Sequence, residues 1–270
     1  MKIGKWLEQV RNAKPLVHHL TNYVTVNDCA NITLGIGASP VMADAIEEAA
    51  DIAAISSALV LNIGTLNIRT VQSMVAAGKS VNQKGIPVIL DPVGVGASKF
   101  RNETAALLLN EIKLTVLRGN ISEIKCMAGL EAATKGVDAA ESDTANADDA
   151  GLIAKGLAKK LNCIVVISGA VDIVSDGEKI CCIENGHALL GGLTGTGCMC
   201  SSLVGSFCGA SPEEAFSATV AAMASMSIAG EIAYEKAGLL GNGSFHTALH
   251  DAISKLDAQT LESRAKIREG

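Results

Sequence analysis

The feature that most constrains the fold is an alternation of short, β-branched apolar runs with longer stretches of helical period. This alternation is typical of parallel strands joined by crossover helices, because a parallel connection needs about a dozen residues or more. The pattern predicts strands at Leu16–Leu20, Leu59–Ile63, Pro87–Leu90, Leu114–Leu117, Ile164–Ile167, Ile173–Ser175 and Ile180–Ile183. It predicts helices at Asn27–Leu34, Ala45–Asp51, Ile68–Lys84, Glu103–Glu111, Ser122–Met127, Ala147–Leu161, Cys198–Cys208, Pro212–Lys236 and Ser244–Leu256. The sequence therefore predicts an α/β fold with a central, mostly parallel sheet and helices on both faces.

Composition agrees with closely packed helices on a sheet. Hydrophobic residues make up 49% of the chain but aromatic residues only 3%, so the interior must be built mainly from small and aliphatic side chains. Such side chains suit helices that lie close to a parallel sheet. No linker divides residues 1–270, which predicts one domain, and the polar stretch Glu141–Asp149 is predicted to be a mobile surface loop.

Charge and cysteine usage exclude several functional classes. The net charge is -6 and the basic residues are scattered, which argues against a nucleic-acid partner. The N-terminal residues lack the continuous apolar core of a secretory signal, and Gly, Ser and Thr interrupt the uncharged stretch Asn185–Pro212. This stretch is therefore predicted to be buried or to line a ligand site, not to span a membrane. The eight cysteines show no CxxC pair and no metal-ligand spacing, which predicts free thiols and a cytoplasmic protein.

The densest glycine cluster lies in Gly191–Gly197, directly before Cys198 and a predicted helix. Glycines at the start of a helix let backbone N–H groups converge on an anion, where the helix dipole also favours negative charge. The cluster is thus a candidate phosphate site, although a glycine-rich turn that only precedes a helix has the same pattern.

Polar residues that follow predicted strands are further candidates, because ligands of open parallel sheets bind beyond the carboxyl ends of the strands. Asp91 follows Pro87–Leu90 and could bind Mg²⁺ or its waters, although an aspartate before a proline is also a common turn residue. Arg118 follows Leu114–Leu117 and could pair with a phosphate. Glu123 could reach the same cation as Asp91.

Other interpretations remain open for these residues. Asn120 and Glu123 have the spacing of a capping box that only closes a helix N-terminus, and this role is compatible with metal binding. Ser168 could cradle nucleotide phosphates or could lie in a plain turn between two strands. Met42, taken alone, would be a core residue.

Together, these segments resemble the hydroxyethylthiazole kinase family, a member of the ribokinase-like group of small-molecule kinases. The resemblance covers nearly the whole chain and is carried by His18-His19-Leu20-Thr21-Asn22-Tyr23-Val24, Asp91-Pro92-Val93-Gly94-Val95-Gly96, Arg118-Gly119-Asn120 and Gly195-Thr196-Gly197-Cys198. It implies a ribokinase-like fold and phosphorylation of 4-methyl-5-(2-hydroxyethyl)thiazole by ATP and Mg²⁺ in thiamine salvage.

The resemblance also implies the roles of individual residues. It places Arg118 and Ser168 at ATP, and Met42 and Gly195 at the thiazole alcohol. It places Asn22 and Val24 near the thiazole ring, and Asp91 and Glu123 at the metal. The catalytic position that it implies is Cys198. It further implies a homotrimer with active sites between subunits, in which Met42 faces Cys198 of the partner subunit.

Cys198 departs from the wider ribokinase-like group, which usually has an aspartate there as the base. We assign the thiol a positioning role that also allows proton acceptance, because phosphoryl transfer depends mainly on positioning and charge stabilisation. The helix N-terminus is expected to lower the pKa of this thiol, while bound phosphates would oppose that change. Ser168 replaces a threonine often found in the family but keeps the hydroxyl.

Two alternatives have different consequences. Another ribokinase-like enzyme, such as a hydroxymethylpyrimidine kinase or an ATP-dependent repair enzyme for hydrated nicotinamide nucleotides, would share the glycine-rich motif but have an aspartate at position 198. A catalytically silent thiazole- or nucleotide-binding protein would have no need for a metal–phosphate site. The joint presence of Asp91, Glu123 and Arg118 favours an enzyme.

Overall fold

A nine-stranded sheet forms the centre of the molecule. The computed structural model describes residues 2–130, 134–135, 138–139 and 147–270. The strands are β1 (Leu16–Leu20), β2 (Ser39–Val41), β3 (Ala58–Asn62), β4 (Val88–Asp91), β5 (Val116–Asn120), β6 (Thr134–Lys135), β7 (Asp138–Ala139), β8 (Ile164–Ser168), β9 (Asp172–Ser175), β10 (Ile180–Ile183) and β11 (Ile267–Glu269). The helices are α1 (Gly4–Ala13), α2 (Val26–Ile36), α3 (Ala49–Ile55), α4 (Ile68–Lys84), α5 (Lys99–Glu111), α6 (Ile121–Ala128), α7 (Ala147–Leu161), α8 (Thr196–Ala210), α9 (Ala215–Ala237), α10 (Asn242–Lys255) and α11 (Ala258–Arg264).

The sheet has the order β11-β10-β9-β8-β5-β4-β3-β1-β2. Six neighbouring strands of this sheet, β2, β1, β3, β4, β5 and β8, run parallel to one another. Strands β9, β10 and β11 extend the sheet with antiparallel pairing. The predicted mostly parallel α/β sheet is therefore confirmed. The register places Asn62 opposite Asp91 and Asn120 opposite Ser168, so polar side chains meet at the carboxyl ends of neighbouring strands.

Helices cover both faces of the sheet, as predicted. On one face, Val60 of β3 contributes to a core with residues of α1, α2, α8, α9 and α10, including Phe207. On the other face, Leu59 and Leu61 of the same strand contribute to a core with residues of α3 to α7, including Met74. Successive residues of β3 thus face opposite layers, as the two-residue repeat of a strand requires.

Within the described part of the chain, one helical segment is long and apolar enough to cross a membrane by length and composition. It runs over Pro212–Ala237, and 72% of its most apolar window is buried inside the fold. The segment therefore serves as a core helix, which its many small residues allow to lie close to its neighbours.

Several predicted boundaries differ from the structure. Helix α3 begins at Ala49 and not at Ala45, and Arg118 lies inside β5 and not after a strand that ends at Leu117. Of the predicted loop Glu141–Asp149, residues 141–146 lie outside the described residues, and the last three residues belong to α7.

Six of the helices and strands listed above were not predicted. Helix α1 buries Trp6, Leu7 and Val10, a helical spacing that the sequence did contain. The other five are the short elements β2, β6, β7, α11 and β11, which have two to seven residues each. Elements this short carry too few periodic positions to be recognised from pattern alone.

Candidate active site

Three elements converge on the thiol of Cys198, which lies in the first turn of α8. Asn22, after β1, donates from Nδ2 to Cys198 Sγ at 3.3 Å, and Asn62, at the end of β3, donates to the same sulfur at 3.2 Å. Asn22 Nδ2 also lies 3.0 Å from Asn62 Oδ1. The thiol is therefore held by two amide groups that are far apart in the sequence.

Asp91 continues this polar network at the end of β4. Its Oδ2 atom accepts hydrogen bonds from Asn62 Nδ2 at 3.1 Å and from Ser201 Oγ at 2.7 Å, and it lies 3.8 Å from Arg118 Nη1. Both charged side chains are buried. Burial raises the pKa of Asp91, while the Arg118 guanidinium and the two hydrogen bonds oppose that rise.

Glu123 has the capping role that the sequence left open, and it also contacts the loop that follows Asp91. It forms a capping box with Asn120 at the start of α6, in which Oε2 accepts from the Asn120 N–H at 2.8 Å. Its other oxygen accepts from the Gly94 N–H at 2.8 Å, in the loop that follows Asp91. Burial, and then the charge of Asp91, raise the pKa of Glu123 to about 7.

The glycine-rich turn requires glycine at its last position before α8. Gly195 has a φ of +88°, and a Cβ there would lie 2.6 Å from Thr25 Cγ2. A Cβ on Gly197 would lie 3.0 Å from Arg118 Nη1. The amino end of α8 is thus close to a buried cation, and both features favour an anion.

A cleft of about 820 Å³ opens in front of these groups. Six of the nine predicted site residues line it: Asp91, Arg118, Glu123, Ser168, Gly195 and Cys198. Ser168 is the last residue of β8, and its hydroxyl lies 3.3 Å from the Gly119 carbonyl oxygen. The structure therefore brings these six predicted residues together at one cleft.

The remaining three predicted residues lie elsewhere. Asn22 is not among the described residues that line the cleft, and it reaches the site through its contacts with Cys198 and Asn62. Val24 is 57% exposed beside Tyr23, and Met42 is half-buried just after β2. Among the described residues that line the cleft, neither Val24 nor Met42 is present.

Sequence reasoning missed Asn62, Ser201 and Asp172. Asn62 is a polar residue in an apolar run, Leu59–Ile63, and this signal could have identified it. Asp172 lines the cleft and accepts hydrogen bonds from the Gly169 N–H and from Ser227 Oγ, each at 3.0 Å. Burial raises the pKa of Asp172 to about 6.

The expectation that the pKa of Cys198 is lowered is wrong. Burial, and then the charge of Asp91, raise the pKa of this thiol, although hydrogen bonds from neighbouring side chains oppose the rise. At neutral pH the protonated thiol therefore predominates, because even an unperturbed cysteine titrates above neutrality. The site is built to hold a thiol in place more than to supply a strong base.

Asp91 and Glu123 fit a divalent cation of the Mg²⁺ type. Both offer hard oxygen ligands, and Mg²⁺ is usually held by one or two carboxylates together with substrate phosphates. The negative charge of Asp91 disfavours ionisation of Glu123, and a bound cation would relieve that repulsion.

Comparisons with known proteins agree with this geometry. A model of the hydroxyethylthiazole kinase family matches residues 7–259. A hydroxyethylthiazole kinase of Clostridium beijerinckii is 59% identical over 270 residues, which cover 100% of this chain and 98% of that relative. The structure of a hydroxyethylthiazole kinase protein from Pyrococcus horikoshii OT3 has a TM-score of 0.90 and 40% identity, over 99% of this chain and 98% of that one.

A more distant likeness concerns the fold alone. The structure of an ADP complex of Bacillus subtilis pyridoxal kinase has a TM-score of 0.58 and 18% identity, over 79% of this chain and 90% of that one. The architecture is therefore shared with small-molecule kinases that differ strongly in sequence.

Proposed function

The chain belongs to the hydroxyethylthiazole kinase family, and on that basis we propose that it transfers the terminal phosphoryl group of ATP to the side-chain hydroxyl of 4-methyl-5-(2-hydroxyethyl)thiazole. One observation carries the assignment of the site. The amino end of α8, the Arg118 guanidinium and two buried carboxyl groups face one cleft. These are the groups that phosphoryl transfer needs for positioning and for charge stabilisation.

The transferred phosphoryl group is held at the amino end of α8. Backbone N–H groups from Gly195 to Cys198 provide fixed donors toward charge that develops in the transition state. The φ of +88° at Gly195 supports this role, because the turn can come close to Thr25 only without a side chain.

Arg118 and Ser168 bind ATP at the neighbouring strand ends. The Arg118 side chain is buried, and its Nε atom has no hydrogen-bond partner among the described residues. A buried donor without a partner is costly, so an anionic ligand such as a phosphate would stabilise it. Asp172 accepts a hydrogen bond from the Gly169 N–H and thereby fixes the turn that follows Ser168.

Asp91 and Glu123 hold Mg²⁺ in this proposal. The bound cation would neutralise phosphate charge and help to orient the nucleotide. Asn62 and Ser201 orient Asp91 through hydrogen bonds to its Oδ2 atom. The Gly94 and Asn120 N–H groups fix the Glu123 carboxylate in the same way.

The thiazole alcohol binds beside Cys198, with Asn22, Val24, Met42 and Gly195 around it. Cys198 positions the hydroxyl, and its thiolate form could accept the proton. We propose that the active protein is a homotrimer, and that Met42 reaches the site of a neighbouring subunit. The exposure of Tyr23 and Val24, at 80% and 57%, supports a contact surface at this edge.

We also propose that the protein works in the cytoplasm. All eight cysteines lie in the described part of the chain and are free thiols. Free thiols agree with a reducing compartment.

Product analysis tests this function. The purified protein is incubated with ATP, Mg²⁺ and the thiazole alcohol, and the products are measured by mass spectrometry. We expect thiazole phosphate and ADP in equal amounts, with little ADP when the alcohol is left out. Binding of the thiazole without any phosphorylated product would contradict the proposal and favour a silent binding protein.

A further inference from the structure

A second group of metal-ligand side chains lies outside the cleft, where helices α2 and α10 meet. It consists of Asp28 in α2 and of His246 and His250 in α10. A Cβ on Gly35 of α2 would lie 3.5 Å from Ile253 Cγ2 of α10, so the two helices are in direct contact. The two histidines are four residues apart and therefore lie on one face of α10, toward α2.

The ligand atoms of these three side chains converge. Asp28 Oδ1 lies 3.1 Å from His246 Nε2 and 3.7 Å from His250 Nε2, and all three ligand atoms lie within 4.8 Å of one another. A tetrahedral site with bonds of about 2.0–2.1 Å separates neighbouring ligand atoms by roughly 3.3 Å. The two separations from Asp28 Oδ1 are already close to that value. Small rotations of the imidazole rings would bring the third separation, between the ligand atoms of the two histidines, to the same value.

Hydrogen bonding accounts for only part of this arrangement. One imidazole at 3.1 Å is enough to pair with the Asp28 carboxylate, and the second, at 3.7 Å from the same oxygen, is too distant for a hydrogen bond. The rings are nearly perpendicular, with an interplanar angle of 81° and centroids 4.9 Å apart. Their nitrogens thus approach one point from different directions, as two ligands of one ion do.

The environment suits a metal ligand set. Burial, and then the neighbouring His246, lower the pKa of His250, although Asp28 opposes the change, and the net lowering favours the neutral ring that metals bind. The three side chains keep 21% to 34% exposure, so a fourth ligand from solvent has access. Two imidazoles with one carboxylate suit Zn²⁺ and similar transition metals, whereas Mg²⁺ prefers oxygen ligands alone.

We propose that Asp28, His246 and His250 bind one transition-metal dication of the Zn²⁺ class and that this ion clamps α10 to α2. The site is separate from the pair Asp91 and Glu123, and it does not depend on the proposed kinase reaction. It adjoins the glycine-rich turn, because Asp28 Oδ2 lies 3.9 Å from the position of a Cβ on Gly195. A cation here would add positive charge beside the turn that receives phosphate.

Zinc titration of the chelator-treated, tag-free protein under reducing conditions tests the site. We expect the parent protein to bind one Zn²⁺ and to melt at a higher temperature when Zn²⁺ is present. His246→Gln combined with His250→Gln should weaken binding by at least about 10-fold and abolish the rise in melting temperature. His187→Gln, which changes a histidine outside the cluster, should bind Zn²⁺ as the parent does.

Substitution with Co²⁺ removes any dependence on variants that fail to fold. The visible spectrum of bound Co²⁺ distinguishes nitrogen and oxygen ligands from thiolate ligands, and we expect no thiolate charge-transfer band. Three results would overturn the site: no zinc binding by the parent, full binding by the double variant, or a thiolate band that assigns the metal to cysteines.

Discussion

At the scale of single residues, Cys198 is held by two amide groups beside a buried carboxyl group. Asn22 and Asn62 both donate to its sulfur, while burial and Asp91 raise the pKa of the thiol. The same surroundings that position the sulfur therefore keep it protonated at neutral pH, so little thiolate is present to act as a base. Positioning is the role that this geometry favours.

Cys198→Ser separates the two roles. We expect kcat to fall by less than about 10-fold, because a hydroxyl can accept the same two hydrogen bonds, whereas loss of a general base usually costs about 10²–10⁴-fold. Steady-state kinetics measure the change. A loss of 100-fold or more in a normally folded variant would show that the thiol acts as a base.

Cys198→Asp introduces the residue that the wider ribokinase-like group uses. We expect this variant to retain or increase kcat, because Asn22 and Asn62 donate to the sulfur at this position and could donate to a carboxylate oxygen in its place. The same kinetic assay applies, with a thermal melt to verify folding. A folded but inactive variant would contradict a shared role for this position.

Asp91→Asn tests the metal assignment. We expect kcat to fall by about 100-fold or more, because the amide keeps the side-chain shape but loses the negative charge that a cation needs. The melting temperature should change little, since Asp172 and Glu123 also compensate the buried Arg118 charge. Asp51→Asn, at an exposed position of α3, is the matched control. Full activity of Asp91→Asn would eliminate Asp91 as a metal ligand.

Glu123 makes the stability of the metal-free protein depend on pH. Its pKa is raised from 4.5 to about 7, so the protonated form stabilises the folded state below pH 4.5, and this contribution is lost as the pH rises through about 7. Relative to Glu123→Gln, the parent should lose on the order of 3 kcal/mol of unfolding free energy between about pH 4 and pH 8. Urea denaturation of both proteins measures the difference. A difference that does not change with pH would refute the raised pKa.

At the scale of elements, the turn before α8 depends on one glycine. Gly195→Ala places a Cβ against Thr25 at a φ of +88°, so we expect a loss of about 1–3 kcal/mol in stability and a marked loss of activity. Gly191→Ala is the control in the same segment, because a Cβ there has no heavy atom within 4 Å. Thermal melts and steady-state kinetics compare the two variants. Equal effects of both substitutions would contradict a special role for the turn.

The predictable part of the fold comes from long apolar runs. The strands β1 and β10 and the helices α4 and α7 begin and end at the predicted residues, because burial and local periodicity act together in these segments. Strand β2 has only three half-buried residues, among them Pro40, so neither signal identifies it. Local pattern thus predicts elements that are stabilised by their own periodic burial.

The site was predictable only in part, for a different reason. Asp91 and Ser168 end strands, and this position marks them as candidates in any open parallel sheet. Contacts such as Asn62 with Cys198 join residues 136 positions apart, and no local pattern encodes such a pairing. The raised pKa of Cys198 follows from that assembly and was therefore predicted with the wrong sign.

At the scale of the whole molecule, one sheet contains strands from both ends of the chain, from β1, which begins at Leu16, to β11, which ends at Glu269. This continuity supports the prediction of a single domain, which would unfold in one transition. Val24 and Met42 are not among the described residues that line the cleft of a single chain, and the proposed trimer would bring them to a cleft between subunits.

Light scattering tests the proposed trimer. We expect a mass three times that of the 27.6 kDa chain. Val24→Asp should weaken assembly and lower activity together, because it places a charge on a surface that would become buried. Leu152→Asp, at an exposed position of α7, is the control. A fully active monomer would remove the idea of a site shared between subunits.

The most direct test of the central claim is a competition between two alcohols. Equal concentrations of 4-methyl-5-(2-hydroxyethyl)thiazole and hydroxymethylpyrimidine are mixed with ATP, Mg²⁺ and the protein, and the ratio of phosphorylated products gives the ratio of kcat/KM. We expect thiazole phosphate to exceed pyrimidine phosphate by at least about 100-fold. An equal or larger amount of pyrimidine phosphate would contradict the thiazole assignment while leaving the kinase fold intact.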